Sequence, residues 1–139
     1  LSHTILVIDD DGPNSYLCKV ILEARGFEVI IANSATDGMA LAIESLPALI
    51  LMDIQMPGMS GLEATRQLKT VEPLKNVPII ACSAYGSPAD EQAARAAGCA
   101  AYVHKPFHPK DLAEIVSRVL TKARGPEHTN GDAEQASAC

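Results

Sequence analysis

Five short apolar runs alternate along this chain with five longer segments whose apolar residues recur at helical spacing. Ile5-Leu6-Val7-Ile8 and Leu49-Ile50-Leu51-Met52 are the clearest runs. A run this short and this apolar, bounded by polar or turn residues, reads as a strand buried on both faces of a parallel sheet. Strands are expected over 4–9, 27–32, 48–53, 77–83 and 101–104. Between them, the first helix opens at Pro13, with Leu17, Val20, Ile21 and Ala24 facing inward and Gly26 as its C-terminal cap. The second carries one stripe of Ala35, Gly38, Met39, Ala42, Ile43 and Leu46 and is stopped by Pro47. A third spans about 60–71 with Leu62, Thr65 and Leu68 inward, and a fourth spans 88–97 and closes at Gly98. Asp111 opens the last, with Leu112, Ile115, Val116, Val119 and Leu120 buried. This alternation predicts an α/β fold, a doubly wound five-stranded parallel sheet with helices on both faces and right-handed crossovers.

The 139 residues suffice for one domain, and 47 % of them are apolar. From Gly125 onward periodicity is lost, so 1–124 is expected to fold and 125–139 to form a disordered polar tail. The net charge of -6 argues against a nucleic-acid surface, which needs clustered Lys and Arg. Cys18, Cys82, Cys99 and Cys139 show no metal or disulfide spacing, which fits a reduced, cytoplasmic setting. Cys18 and Cys82 are expected on apolar faces as small hydrophobes. No stretch is long enough for a membrane span and no signal-peptide pattern opens the chain.

The apolar runs end in charge. Asp9 and Asp10 close the first, Asp53 closes the third, and Lys105 follows the fifth. Ligand sites in open parallel sheets lie just beyond the carboxyl ends of the strands, so three carboxylates and one ammonium converge on one rim. Two carboxylates about 4 Å apart repel by roughly 4 kcal/mol at an effective dielectric near 20. Lys105 offers one compensating charge, and a hard divalent cation offers two. Magnesium suits few carboxylates plus phosphate oxygens, and Mn²⁺ is a possible substitute. Asp53, ending a central strand, is the candidate nucleophile toward phosphorus. Ser83 at the end of the fourth strand adds a hydroxyl to the same rim.

Four motifs in order then resemble the receiver domain of two-component response regulators, across roughly residues 4–122. They are Ile8-Asp9-Asp10-Asp11, the stretch from Leu51 to Gly61, Ile80-Ala81-Cys82-Ser83-Ala84 and Tyr102-Val103-His104-Lys105-Pro106-Phe107. The resemblance implies a flavodoxin-like sheet in order 2-1-3-4-5. It implies that Asp53 accepts a phosphoryl group from a histidine kinase or histidine phosphotransfer protein. It also implies Mg²⁺ on Asp10, Asp53 and the backbone carbonyl of Gln55, with Asp9 acting through water. Lys105 would meet the phosphoryl group, Ser83 and Tyr102 would form a switch pair, and the Lys105–Pro106 bond would be cis. Gln55 and Tyr85 occupy positions that tune phosphoryl lifetime in the family, and a bulky Tyr85 implies slow self-dephosphorylation. Output is expected through protein contact on the face of helix 4, strand 5 and helix 5, to a downstream target or a second copy. The alternative is a receiver excised from a hybrid histidine kinase, relaying phosphate onward.

Plainer readings stand beside these. Asp11 reads as a helix cap ahead of Pro13. Ser83 is also a residue that ends strands by bonding its own backbone, and Tyr102 one that sits in a core with a wet hydroxyl. Two other functions are disfavoured. An aspartyl-phosphate phosphatase needs an acid two residues past its nucleophile, where this chain has Gln55. A flavin module needs a glycine- and hydroxyl-rich loop after the first strand, where this chain has three acids. A phosphoacceptor switch, not a turnover enzyme, is the expectation.

Overall fold

A computed structural model describes residues 3–84 and 86–131, with side chains described through Ala123. The strands are β1 (Thr4–Ile8), β2 (Glu28–Ala32), β3 (Leu49–Asp53), β4 (Ile79–Ser83) and β5 (Ala101–His104). The helices are α1 (Gly12–Glu23), α2 (Ala35–Ser45), α3 (Gly61–Leu68), α4 (Pro88–Ala97) and α5 (Pro109–Gly131). All strand pairings are parallel and the order is β2-β1-β3-β4-β5, as expected.

Strand alternation divides the core in two. Ile5, Val7, Leu49, Leu51, Ile80, Cys82 and Val103 point to the face covered by α1 and α5. Leu6, Ile8, Ile50, Met52, Ile79, Ala81 and Tyr102 point to the face covered by α2, α3 and α4. β1, β3 and β4 are therefore apolar at nearly every position, and that continuity made the strands legible.

Helix ends follow local chemistry. Asp11 caps α1 by accepting from the Asn14 N–H, and Ser34, Ser60 and Ser87 cap α2, α3 and α4 in the same way. Asp90 returns a bond to the Ser87 N–H, completing a capping box. Gly98 ends α4 in the left-handed region at φ 115°.

Two helices are rotated from the expected orientation. On α1 the buried line is Ser15, Cys18, Ile21 and Leu22, while Leu17 and Val20 are 40 % and 47 % exposed. Ser15 sets this rotation, because its hydroxyl donates to the carbonyls of Asp9 and Asp11 at the entrance to the helix. On α2 the small residues Ala35, Gly38 and Ala42 form the buried line and leave Ile43 and Leu46 outside. Thin contact residues let that helix lie close to the sheet, so its flanks clear the core.

α3 ends at Leu68, earlier than expected, and a short 3-10 turn at Glu72–Leu74 follows. α5 begins at Pro109 and continues past Gly125 to Gly131, so regular structure does not stop at 124. Lengthening an existing helix needs no new nucleus, which favours such a continuation. The remainder of the expected tail, 132–139, lies outside the described residues.

Candidate functional site

β1 and β3 are neighbours in the sheet, and carboxylates stand where they end. Asp9 follows β1 directly and is buried; Asp53 is the last residue of β3 and is 4 % exposed. Asp10 is exposed. One carboxylate oxygen from each of the three lies within 4.8 Å of the others. Hard oxygen donors this close, two of them buried, fit a small divalent cation.

Lys105 reaches this group from beyond β5. Its N–H donates to the Ser83 carbonyl at 2.8 Å, and the bond to Pro106 is cis, as expected. Its Nζ lies 3.1 Å from Asp9 Oδ2 and 3.5 Å from Asp53 Oδ1. Asp9 is the better served of the two carboxylates. It also accepts from the Asp11 N–H at 2.9 Å and from Asn14 Nδ2 at 2.7 Å. Asp53 accepts from the Gln55 N–H at 3.1 Å.

That inequality shows in the acid–base balance. Burial and then the Asp9 charge push Asp53 up to about 7, against the downward pull of Lys105 and the Gln55 N–H. Burial alone would lower Lys105, but its hydrogen bond to Asp9 and the Asp9 and Asp53 charges outweigh it, so the ammonium is held above its ordinary value. One cation shared by two carboxylates leaves the more distant one partly uncompensated. The uncompensated residue is Asp53.

Ser83 ends β4, fully buried, and its hydroxyl donates to Gln55 Oε1 at 3.3 Å. Tyr102, in the middle of β5, is also buried. Its ring meets His104 edge-on, with centroids 5.0 Å apart. His104 is thus a neighbour of the site.

These features lie within a known domain. The family model for the response regulator receiver domain matches residues 5–117. The chain belongs to that family. It is similar to the polar-differentiation response regulator DivK of Brucella ovis, 37 % identical over 123 residues, which cover 88 % of this chain and all of that protein. DivK of Brucella anthropi matches to the same extent. Among solved structures, the Vibrio cholerae chemotaxis protein CheY4 superposes with TM-score 0.82 at 27 % identity, covering 86 % of this chain and 99 % of that one. A CheY-like receiver domain protein from Methanospirillum hungatei gives TM-score 0.82 at 32 % identity, covering 89 % and 98 %. The chain is therefore a signalling receiver, and among its described residues no helix is long and apolar enough to cross a membrane.

Of the expected site residues, Asp9, Asp10, Asp53 and Lys105 come together at the rim and Ser83 ends β4, while Tyr102 lies within β5 and Tyr85 lies outside the described residues. Two contributors, Asn14 and Gly61, and one contact of Gln55 were not expected from the sequence. Asn14 holds Asp9 from the first turn of α1, which a lone Asn near a helix start does not announce. Gln55 was expected to act through its backbone carbonyl, yet its side chain accepts from Ser83. Gly61 opens α3 against the backbone of Asp53 and Ile54: a Cβ there would fall on the Asp53 carbonyl oxygen and lie 2.9 Å from Ile54 Cα. Cys18, Cys82 and Cys99 are buried free thiols, and burial pushes Cys18 up to about 12, which keeps it an unreactive packing residue.

Proposed function

We propose that this receiver is a phosphorylation switch in which Asp53 takes a phosphoryl group from the phosphohistidine of a histidine kinase or histidine phosphotransfer protein. An Asp53 carboxylate oxygen attacks phosphorus as the phosphorus–nitrogen bond breaks. The bonding pair leaves with the imidazole nitrogen, and an acyl phosphate forms. Such transfers pass through a loose transition state, so positioning and charge neutralisation do most of the catalytic work. Lys105 supplies a fixed positive charge next to the attacking carboxylate. Asp10, Asp53 and the Gln55 carbonyl, with Asp9 through water, would hold Mg²⁺ (or Mn²⁺), which when bound supplies two further charges against the phosphoryl oxygens.

The observation that carries the reading is the shared ammonium, with Lys105 between Asp9 and Asp53 inside a cluster of three carboxylates. An incoming phosphoryl oxygen replaces Asp53 as the second partner of Lys105. Ser83 then exchanges Gln55 for the phosphoryl group, and the adjacent loop follows. Together with Tyr102 this remodels the face of α4, β5 and α5, where a protein target or a second copy docks. The shift is one of populations, with phosphorylation favouring one of two arrangements. The setting is cytoplasmic.

Incubation with acetyl phosphate and Mg²⁺, followed by intact mass, tests the chemistry. The wild type gains the mass of one PO₃ unit, Asp53→Ala gains none, and a chelator suppresses the gain. An unmodified wild type under these conditions would overturn the assignment.

A further inference from the structure

Three of the described glycines approach other groups too closely to admit a side chain: Gly38 meets the Ile8 side chain, and Gly61 and Gly86 differ in what they meet. At Gly61 a Cβ would strike the Asp53 backbone, which cannot yield without disturbing β3. At Gly86, in the loop between β4 and α4, the obstacles are side chains only. A Cβ there would fall on the Tyr102 hydroxyl, and it would lie 2.9 Å from both Tyr102 Cε2 and His104 Cε1.

Tyr102 is 8 % exposed, and its hydroxyl is the one buried side-chain polar atom without a hydrogen-bond partner among the described residues. A buried hydroxyl in that condition is disfavoured relative to one in water. The ring is therefore held inside by packing alone, and no hydrogen bond opposes its departure. Space at Gly86 is what makes the inward position available.

We propose that Gly86 is the positioning residue for Tyr102: the bare Cα is the seat of the tyrosine hydroxyl, and any side chain at 86 turns the ring outward while leaving the sheet intact. The consequence reaches the docking face. Tyr102 also lines a groove of about 370 Å³ between α4 and α5, together with Arg95, Ile115, Arg118 and Lys122. The side chain at 86 thereby selects the shape of one wall of that groove. This inference concerns the conformation of the unmodified chain and stands apart from whether Asp53 accepts a phosphoryl group.

Acetylation of tyrosines by N-acetylimidazole, read on peptides by mass spectrometry, tests it in the unphosphorylated protein and in Asp53→Ala. Tyr16, 63 % exposed, is an internal reference. Tyr102 should react at least about tenfold more slowly than Tyr16 in the wild type, because it must first leave its seat. In Gly86→Ala its rate should approach that of Tyr16, with Gly12→Ala, where a Cβ meets nothing, as the inert control. A folded Gly86→Ala protein whose Tyr102 stays protected, or a wild type whose Tyr102 reacts as Tyr16 does, overturns the proposal. If Gly86→Ala does not fold, the Tyr102→Ala background decides. There the added Gly86→Ala change should cost less stability than it does with Tyr102 present, since His104 Cε1 is then the one obstacle left of the three, and an undiminished cost would sink the idea. Loss of phosphoryl acceptance in either protein bears on the site chemistry and leaves this readout untouched.

Discussion

Leu51 and Asp53 stand two residues apart on β3 and, by strand alternation, face the same side of the sheet, yet they sit in opposite kinds of surroundings. Leu51 is packed among Ile5, Val7, Leu49 and Ile80, and every neighbour gains from its presence. Asp53 is as deeply buried, but its ionised form is disfavoured by desolvation and by Asp9, with only a shared ammonium in return. The middle of the sheet is built for stability, and the rim about 7 Å further along the strand is built for a charge still to arrive. A receiver needs both, because a strained acceptor can be held in place only by a backbone that does not yield.

The largest effect that checks this contrast belongs to the middle. Leu51→Ala leaves a cavity in a fully buried position and should lower unfolding free energy by roughly 3–5 kcal/mol in a urea titration. A loss under about 1 kcal/mol would mean that this layer is looser than its burial implies. The rim should respond in the opposite direction. Asp53→Asn keeps the shape and removes the disfavoured charge, so the variant should be about 2–3 kcal/mol more stable at pH 8 in chelator-containing buffer.

The pH dependence fixes the sign. The folded value of Asp53, about 7, lies above its ordinary 3.8, so between these limits the native protein holds a proton that the unfolded chain has released. Stability falls as pH rises through that window and is level above it. Asp53→Asn should abolish that part of the fall. Lys105 does not produce it: its raised value contributes stability that is present throughout this window and is lost only at higher pH. Wild type and Asp53→Asn falling in parallel from pH 4 to pH 8 would show that Asp53 is better compensated than its surroundings indicate.

The same contrast explains what was legible in the sequence. An apolar run closed by an aspartate carries both the strand and its functional end in adjacent letters, so Asp9, Asp53 and Lys105 could be placed before any coordinates. The parallel sheet followed from the same runs, and its strand order from the resemblance. What resisted were relations between distant letters. Leu17 and Cys18 are equally plausible inward residues on a helical wheel, and the choice rests on where the Ser15 hydroxyl finds its carbonyl partners. Asn14 matters only because Asp9 lies beside it. Gly61 and Gly86 carry no local signal of their close approach, since the groups they meet come from β3 and β5. The helical backbone beyond Gly125 had no apolar stripe to announce it.

Not all strain in the molecule belongs to the site, and Leu46 gives the smallest effect and a useful control. It caps α2 in the left-handed region at φ 46°, ψ 65°, the only non-glycine residue with positive φ among those described. A bulky side chain there costs about 1–2 kcal/mol relative to glycine's freedom. Leu46 is also nearly half exposed, so little packing is lost when it is shortened. Leu46→Gly should therefore stabilise the fold by about 0.5–1 kcal/mol, after the greater unfolded-state entropy of glycine is set against the relief. Because Leu46 caps the far end of α2 from the rim, the rate of mass gain with acetyl phosphate should be unchanged. A gain in stability accompanied by slower acceptance would mean that tension at this cap is transmitted to Asp53, and the division between a rigid middle and a self-contained rim would have to be redrawn.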